Sequence, residues 1–269
     1  MLERLLTLSG QSGAQGVLFG PRALVLHAFG QSLLVRGKTE QAEAVAREAL
    51  SRARRNEDHC SICSALTILG QIAQTGGNLD EAEACFATSD EHATLGGSPD
   101  LRGITLRNLA EIARMRGDLG RATVLYEQAL AVVRAIGITF GVALLTTLLG
   151  HLASQQHNYA LAKARYRESL VVFRSFDSPT FMAWCLEGFA AALNAERQYA
   201  QATRLCAAAM TMRKRVQTPL PPSERDAFEQ TIATGKTALG ESAFAEEWTT
   251  GARLTHSQAI DYALSDACT

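Results

Sequence analysis

The sequence is poor in proline, in aromatic residues and in net charge. Only 6 of its 269 residues are proline and 6% are aromatic, whereas 47% are hydrophobic, with alanine prominent among them. Alanine loses no side-chain entropy in a helix and proline breaks one, so this composition predicts a helical protein. The 26 Lys+Arg against 27 Asp+Glu leave a formal net charge of −1. That balance excludes a strongly basic nucleic-acid-binding chain and the composition of a disordered one.

Long apolar runs are scarce as well. The longest, such as residues 142–145, fall far short of the about 20 residues that a helix needs to cross a bilayer. Residues 1–10 hold both an acid and a base before a short apolar run, unlike a secretory signal. The 6 cysteines lack the dense spacing of a small disulfide-rich secreted protein. We therefore expect a cytoplasmic protein that does not contact a membrane.

What the sequence does contain is an internal repeat of 40 residues. One column is alanine in every copy: Ala42, Ala82, Ala122, Ala162 and Ala202. A second column holds small residues: Gly30, Gly70, Ala110, Gly150 and Ala190. A third, mostly bulky column reads Ala46, Phe86, Tyr126, Tyr166 and Cys206. Turn residues form a fourth column: Gly37, Gly77, Gly117, His157 and Arg197.

Each column has a physical reason. The apolar residues of one copy recur three or four residues apart, which is the spacing of one helical face. Each copy is therefore predicted to form two helices joined by a short turn at the fourth column. The small residues allow the two helices to approach closely, and the bulky side chains fill the groove beside them.

These columns resemble the tetratricopeptide repeat, in which a helix A with leucine and glycine precedes a helix B with alanine, an aromatic residue and alanine. The third copy matches best, with Leu109, Ala110, Ala122, Tyr126 and Ala129. The resemblance implies an all-α fold, a right-handed superhelix of antiparallel helix pairs. The copies exceed the usual length of about 34 residues. We expect the extra six to lengthen the second helix and the linker.

The repeats predict three regions. Five repeats occupy residues 21–216, residues 1–20 are a remnant of a preceding repeat with a linker, and residues 217–269 form a C-terminal helical cap. In the cap, Ser223 should cap a helix that ends at Gly240, and Thr255 with Gln258 should form a capping box. The aromatic residues expected to cover the open end of the array are Phe228, Phe244, Trp248 and Tyr262.

The tail carries a second resemblance, to the repeat region of large bacterial LuxR-type regulators and related signalling ATPases. It rests on a Leu-Pro-Pro segment, a helix, and then Gly240, Phe244, Trp248, Gly251 and Leu264. Those proteins place a nucleotide-binding switch domain before the repeats and often add a helix-turn-helix module. This chain contains no Gly-x-x-x-x-Gly-Lys-Ser/Thr phosphate loop and leaves no room for a DNA-binding module after Leu264. The resemblance thus implies the sensor arm alone, as a fragment or a stand-alone relative.

The sequence offers few residues that could bind a metal or catalyse a reaction. Cys60 and Cys63 supply half of a zinc site, and the remaining ligands would have to be Asp58, His59 or His92. We expect no metal and no cofactor, because half a site has little affinity. The other histidines lack a recurring acid or nucleophile beside them, so we expect no catalytic residues and no enzymatic activity.

Surface recognition is the remaining function class. The first helix of each pair should line the concave face, where neutral, hydrogen-bonding side chains suit an extended peptide or a polar small ligand. The candidate binding residues are His27, Gln31, Thr67, Gln71, Arg107, Glu111, Arg114, Thr147, His151, Gln155, Trp184, Glu187 and Asn194. They do not reproduce the lysine and asparagine clamp with which some tetratricopeptide proteins grip a terminal carboxylate.

The sequence therefore favours a non-catalytic binding module, the ligand- or partner-sensing arm of a bacterial signalling or transcription regulator. Its partner would be a protein, a peptide or a small-molecule effector, coupled to an upstream nucleotide-binding switch domain of the same polypeptide. We expect no direct contact with nucleic acid. One alternative is a stand-alone scaffold that joins two proteins. The other is a peptide-pheromone receptor, with Asn108 and Asn194 contacting the peptide backbone.

Overall fold

A computed structural model describes residues 19–220 and 222–265 of the chain. The helices in these ranges are α1 (Phe19–Val35), α2 (Thr39–Arg55), α3 (His59–Thr75), α4 (Leu79–Leu95), α5 (Pro99–Met115), α6 (Leu119–Ala135), α7 (Thr139–Gln155), α8 (Tyr159–Ser175), α9 (Pro179–Ala195), α10 (Tyr199–Val216), α11 (Pro222–Arg253) and α12 (His256–Leu264). No strand occurs within the described ranges. The predicted all-α fold class is confirmed.

The helix pairs are more regular than the sequence suggests. Each of the helices α1 to α9 has 17 residues, and three residues separate it from the next. A residue with positive φ occurs once in every such turn: Gly37, Glu57, Gly77, Gly97, Gly117, Gly137, His157, Asp177 and Arg197. Gln217, directly after α10, also has positive φ. The predicted turns at the fourth column are confirmed, and an equivalent turn recurs midway between them.

The prediction of a longer second helix is wrong. In the first four pairs the two helices have the same length, and the linker between pairs is as short as the turn within them. The six extra residues are therefore shared between the helices of a pair. The left-handed turn residue explains this symmetry, because it ends either helix after the same number of turns. At Glu57 and Asp177 the left-handed residue is not glycine.

Side chains cap several of the helix starts. Asp58 accepts a 3.0 Å hydrogen bond from the Ser61 backbone N–H at the start of α3. Asp118 accepts one of 2.9 Å from the Arg121 N–H at the start of α6. Such caps satisfy backbone donors that have no partner inside the helix, and each contributes about 1 kcal/mol.

The small and bulky columns meet as predicted. A Cβ atom added to Gly70 would lie 2.6 Å from the Phe86 ring, and one added to Gly150 would lie 2.8 Å from the Tyr166 ring. Phe86 and Tyr166 are fully buried. In these two pairs, glycine at the second column leaves the room that the aromatic ring from the second helix occupies.

The chain divides into two compact units, unit 1 up to Gly137 and unit 2 from Ile138. In unit 1, one cluster of buried residues joins Phe86 to Ile112. In unit 2, a large cluster runs from Ala143 in α7 to Ala263 in α12. The C-terminal helices thus pack onto the helix pairs of unit 2.

The predicted covering residues take part in this packing. Phe228 is 6% exposed within the core of unit 2, and Trp248 and Tyr262 pack against the same core. Phe244 stacks on Trp248, with 5.5 Å between the ring centroids. These contacts agree with the covering role that the sequence predicts for the four aromatic residues.

The boundaries of the C-terminal helices are partly as expected. Gly240 interrupts α11 with φ 75° and ψ 166°, at the predicted helix end. Thr255 and Gln258 form the predicted capping box of α12. The helix α11 begins at Pro222, one residue before the predicted cap Ser223. The predicted remnant at residues 1–20 lies almost entirely outside the described residues.

Candidate binding faces

In unit 1, polar side chains of α1, α3 and α5 form one face, here called the unit 1 face. Its members are His27, Gln31, Gln71, Arg107, Glu111 and Arg114. Two direct contacts link the three helices: the Gln31 amide donates to the Gln71 amide oxygen, and Gln74 Nε2 lies 3.3 Å from Met115 Sδ. The first helices of successive pairs therefore lie side by side, as the repeat predicts.

Arg107 is the notable charge on the unit 1 face. Within the described residues its guanidinium has no hydrogen bond and no ion pair. Burial lowers the pKa of Arg107, although Tyr126 and Glu111 counteract this effect. A desolvated cation without a direct partner is costly in an isolated protein, so an external anion would stabilise it.

His27 faces the same region from α1. Burial, followed by the positive charge of Arg107, lowers the pKa of His27 to about 4. The ring is therefore neutral at pH 7. Its Nδ1 atom is buried and has no hydrogen-bond partner in the described part of the chain. His27 thus offers a neutral hydrogen-bonding group close to the Arg107 charge.

Glu111 and Arg114, in contrast, satisfy each other. Arg114 donates to both oxygens of Glu111, at 2.9 and 2.6 Å, and the Tyr126 hydroxyl donates to Glu111 at 2.8 Å. Burial opposes the charge of Glu111, but these donors and Arg107 together keep its pKa below the usual range. Arg107 and Arg114 carry two positive charges, and Glu111 carries one negative charge. These three residues therefore have one positive charge in excess.

Two predicted binding residues do not lie on an accessible face. Thr67 is 1% exposed and Thr147 is fully buried. Thr67 shares a 2.8 Å hydrogen bond with Ser89, and Thr147 donates to the Ala143 carbonyl at 2.9 Å. A short threonine side chain at this position reaches only its own backbone or the neighbouring helix. The longer His27 and Arg107 occupy the same repeat position and are half-buried.

In unit 2, aromatic side chains form the corresponding face, here called the unit 2 face: His151, Phe181 and Trp184. Trp184 lies 4.8 Å from the His151 ring, between centroids, and 6.3 Å from Phe181. The hydroxyl of Tyr166 and Nδ1 of His151 lie 3.0 Å apart. The Trp184 indole donates a 3.2 Å hydrogen bond to Glu224 at the start of α11.

Glu187 is a structural residue rather than a binding one. Its carboxylate accepts two hydrogen bonds from Arg213, at 2.5 and 2.7 Å, and both side chains are 7% exposed. Burial raises the pKa of Glu187, and Arg213 opposes the shift. In this structure Glu187 offers no unpaired carboxylate oxygen to a partner, because Arg213 already takes both.

The remaining predicted contact residues differ in how exposed they are. Gln155 is exposed, and Asn194 is half-buried with an Oδ1 atom that has no partner in the described residues. Asn108, a predicted backbone contact of the peptide-receptor alternative, is only 5% exposed. Asn194 thus keeps a buried oxygen without a partner in the described residues, and Asn108 is almost fully buried.

The cysteine motif does not assemble a metal site. Cys60 donates to the Gly96 carbonyl at 3.5 Å, and Cys63 is buried beside Ser89. His59 and His92 do meet, with 2.8 Å between their Nδ1 atoms. Among the described residues, no three histidine, cysteine or acidic side chains are grouped to hold a metal ion.

Sequence reasoning missed two contributors to the unit 2 face. Phe181 lies three residues before Trp184, on the same side of α9, and this spacing could have revealed it. Glu224 belongs to the cap, and no periodicity links it to the repeats.

No helix within the described residues is long and apolar enough to span a membrane.

Comparisons with known proteins agree with this geometry. Residues 61–135 match the tetratricopeptide repeat family. No curated protein matches the chain. Among solved structures, the chain is similar to BtubC (BKLC) from P. vanneervenii, with a TM-score of 0.62 and 19% identity over 84% of this chain and 89% of that one.

Two further structures show the same architecture. One is a signal transduction ATPase with numerous domains, PH0952 from Pyrococcus horikoshii, which has a tetratricopeptide repeat sensor. Its TM-score is 0.58 at 16% identity, and the match covers 93% of this chain but only 38% of that protein. The other is a kinesin light chain of Podosopora anserina with tetratricopeptide-like repeats, with a TM-score of 0.56, 13% identity, and coverage of 74% and 97%.

At these identities the likeness concerns the fold alone. The family match includes nearly all of the second helix pair and the whole of the third, and the matched structures are helical repeat proteins. The chain therefore has an all-α fold of tetratricopeptide-like helix pairs.

Proposed function

We propose that the chain is a non-catalytic module that binds an extended protein segment on the unit 1 face. The proposal rests above all on Arg107, a desolvated guanidinium with no hydrogen bond or ion pair among the described residues. Repeat folds of this kind expose the first helix of each pair to partners. A carboxylate from an acidic side chain would supply the counter-charge that Arg107 lacks.

The surroundings of Arg107 favour this class of ligand. Glu111 is occupied by Arg114 and Tyr126, so it leaves the Arg107 charge without a direct partner. His27 is neutral at pH 7 and adds a hydrogen-bonding nitrogen. Charge-assisted hydrogen bonds between arginine and a carboxylate are among the strong polar contacts in interfaces.

A binding assay with acidic probes tests this proposal. A fluorescein-labelled peptide of alternating glycine and aspartate is titrated with the full chain and followed by anisotropy, with an asparagine version as control. The wild type should bind the aspartate peptide at least tenfold more tightly. Arg107→Gln should abolish that preference, whereas Arg47→Gln, an exposed site on α2, should retain it. Equal loss in both variants, or no preference in the wild type, would overturn the proposal.

We also propose that this module is the sensor arm of a larger signalling regulator. Support comes from the sensor-bearing ATPase. The match covers 93% of this chain but only 38% of that protein, so the comparable region is one part of a larger protein. In this proposal residues 21–216 are the five repeats and residues 217–269 the cap. Partner binding would favour one arrangement of the helix pairs and so bias an attached switch domain.

The mass of the native protein in its source cells distinguishes the alternatives. An antibody against this chain should detect a band far above 28.9 kDa if the repeats serve an attached switch domain. A band near 28.9 kDa would contradict the sensor arm and favour the scaffold or the peptide receptor.

A further inference from the structure

Unit 2 contains a pocket of about 350 Å³, here called the unit 2 pocket. Its lining residues come from the end of α8 with the turn after it, the end of α10, and the starts of α9 and α12. None of them belongs to the unit 2 face. Pockets that bind small molecules usually measure about 300–1,000 Å³. The unit 2 pocket therefore has room for a small metabolite.

The lining combines apolar and polar groups. Met182 and Ile260 contribute an apolar wall, and both belong to the buried core of unit 2. His256 lines the pocket as well, and its Nε2 atom is buried without a hydrogen-bond partner in the described residues. A buried polar atom without a partner is costly, so a ligand that forms a hydrogen bond with Nε2 would stabilise the site.

Two charges of opposite sign in the lining have no partner among the described residues. Asp177 lies in the turn between α8 and α9, and Arg215 lies in the last turn of α10. Within the described ranges, neither side chain forms a hydrogen bond or an ion pair, whether with the other or with a third group. Arg174, the second arginine of the pocket, is already paired with Asp261 at 2.8 Å. The described part of the chain thus leaves one carboxylate and one guanidinium of the pocket unpaired.

We infer that the unit 2 pocket binds an α-amino acid with an apolar side chain. The carboxylate of the amino acid would accept charge-assisted hydrogen bonds from Arg215, and its ammonium group would pair with Asp177. Its side chain would lie against Met182 and Ile260. The inference does not rest on the proposed function, because the residues that carry it belong to unit 2 and the acidic segment is proposed to bind unit 1.

Charge complementarity selects this occupant. An anion that pairs with Arg215 would also face the like charge of Asp177, and a cation that pairs with Asp177 would also face Arg215. An uncharged ligand would displace water from both charged groups without replacing it. A molecule that carries both charges satisfies both residues, and the side chain of an apolar amino acid covers the apolar wall.

L-Leucine and two of its derivatives test the charge pattern. Leucinamide keeps the ammonium group but lacks the carboxylate, and N-acetylleucine keeps the carboxylate but lacks the ammonium group. Each is titrated at pH 7 into the full chain, which carries a ¹³C label on the methyl groups of its 5 methionines. The Met182 methyl resonance, assigned with Met182→Leu, reports on the pocket.

Leucine should shift the Met182 resonance in a saturable manner, with a Kd in the millimolar range or below, and both derivatives should bind about fivefold or more weakly. Arg215→Gln and Asp177→Asn should each weaken leucine binding to a similar extent. Asparagine tolerates the left-handed conformation that Asp177 adopts, so this variant keeps the turn. Lys214→Gln and Asp226→Asn, exposed positions outside the pocket lining, are the matched controls and should bind as the wild type does.

Three results would overturn the inference: no saturable shift with leucine, equal binding of either derivative, or unchanged binding in Arg215→Gln or Asp177→Asn. The acidic-peptide test on Arg107 is independent of these results. If the aspartate peptide binds and leucine does not, the amino-acid site is wrong while the proposed function stands. If leucine binds and the peptide does not, the reverse holds.

Discussion

The hydroxyl of Tyr126 donates a 2.8 Å hydrogen bond to Glu111, fifteen residues earlier in the chain. One repeat later, Tyr166 makes a contact of 3.0 Å with His151 at the same separation. One repeat before Tyr126 the bulky residue is Phe86, which has no hydroxyl. There Gln71, at the position that corresponds to Glu111, accepts a hydrogen bond from Gln31. The ring of the bulky column therefore fills the core, and where the residue is tyrosine its hydroxyl contacts a polar residue of the unit 1 face or the unit 2 face.

Tyr126→Phe tests the energetic value of this contact. The variant leaves the Glu111 carboxylate one donor short, which should lower the free energy of unfolding by about 1.5–3 kcal/mol at pH 7. The lowered pKa of Glu111 stabilises the fold above the ordinary pKa of glutamate and loses that effect as the pH falls through the folded-state pKa. The cost should therefore shrink in urea unfolding at pH 3.5. A cost that is the same at both pH values would contradict this account.

His27 should make the stability depend on pH. Its pKa of about 4 in the folded state lies below the ordinary 6.5, so the unfolded chain binds a proton that the folded chain does not. Stability should fall as the pH drops from about 6.5 to about 4, by about 3 kcal/mol at most. His27→Gln should remove this part of the slope. Parallel pH curves for the variant and the wild type would refute the assignment.

Breaking the buried ion pair of Glu187 and Arg213 should be costly. Glu187→Met leaves the Arg213 guanidinium buried without its two acceptors, and we expect a loss of about 3–5 kcal/mol in urea unfolding. The double variant with Arg213→Met should recover much of that loss, because two apolar side chains can replace a buried pair. Additive losses in the double variant would show that the pair is not coupled.

Two glycine-to-alanine substitutions should have different outcomes. In Gly150→Ala the new methyl group meets the Tyr166 ring, and overpacking should cost about 1–3 kcal/mol. In Gly120→Ala the nearest atom is 3.8 Å away, so the variant should be neutral or more stable by up to about 1 kcal/mol. Thermal unfolding of the two variants checks the packing role of the second column.

The columns of the repeat predicted most of the fold, because close packing limits which residues fit at Gly70, Ala122 and Tyr126. They did not predict the equal helix lengths, since Glu57 and Asp177 adopt a left-handed turn without being glycine. The candidate binding residues were harder to predict from the sequence. The repeat position does not fix their exposure, because Thr67 and Glu187 are buried at the same position where Arg107 is half-buried. The hydrogen bond from Trp184 to Glu224 joins a repeat to the C-terminal cap, and no shared sequence pattern connects these two regions.

Amide chemical-shift mapping of the aspartate peptide on the full chain tests the central claim most directly. The claim is that the first helices of the pairs in unit 1 carry the binding surface. The largest shift changes should then cluster around Gln31, Gln71 and Arg107 in α1, α3 and α5. Changes concentrated in α2, α4 and α6 instead would place the binding surface on the second helices and contradict the claim.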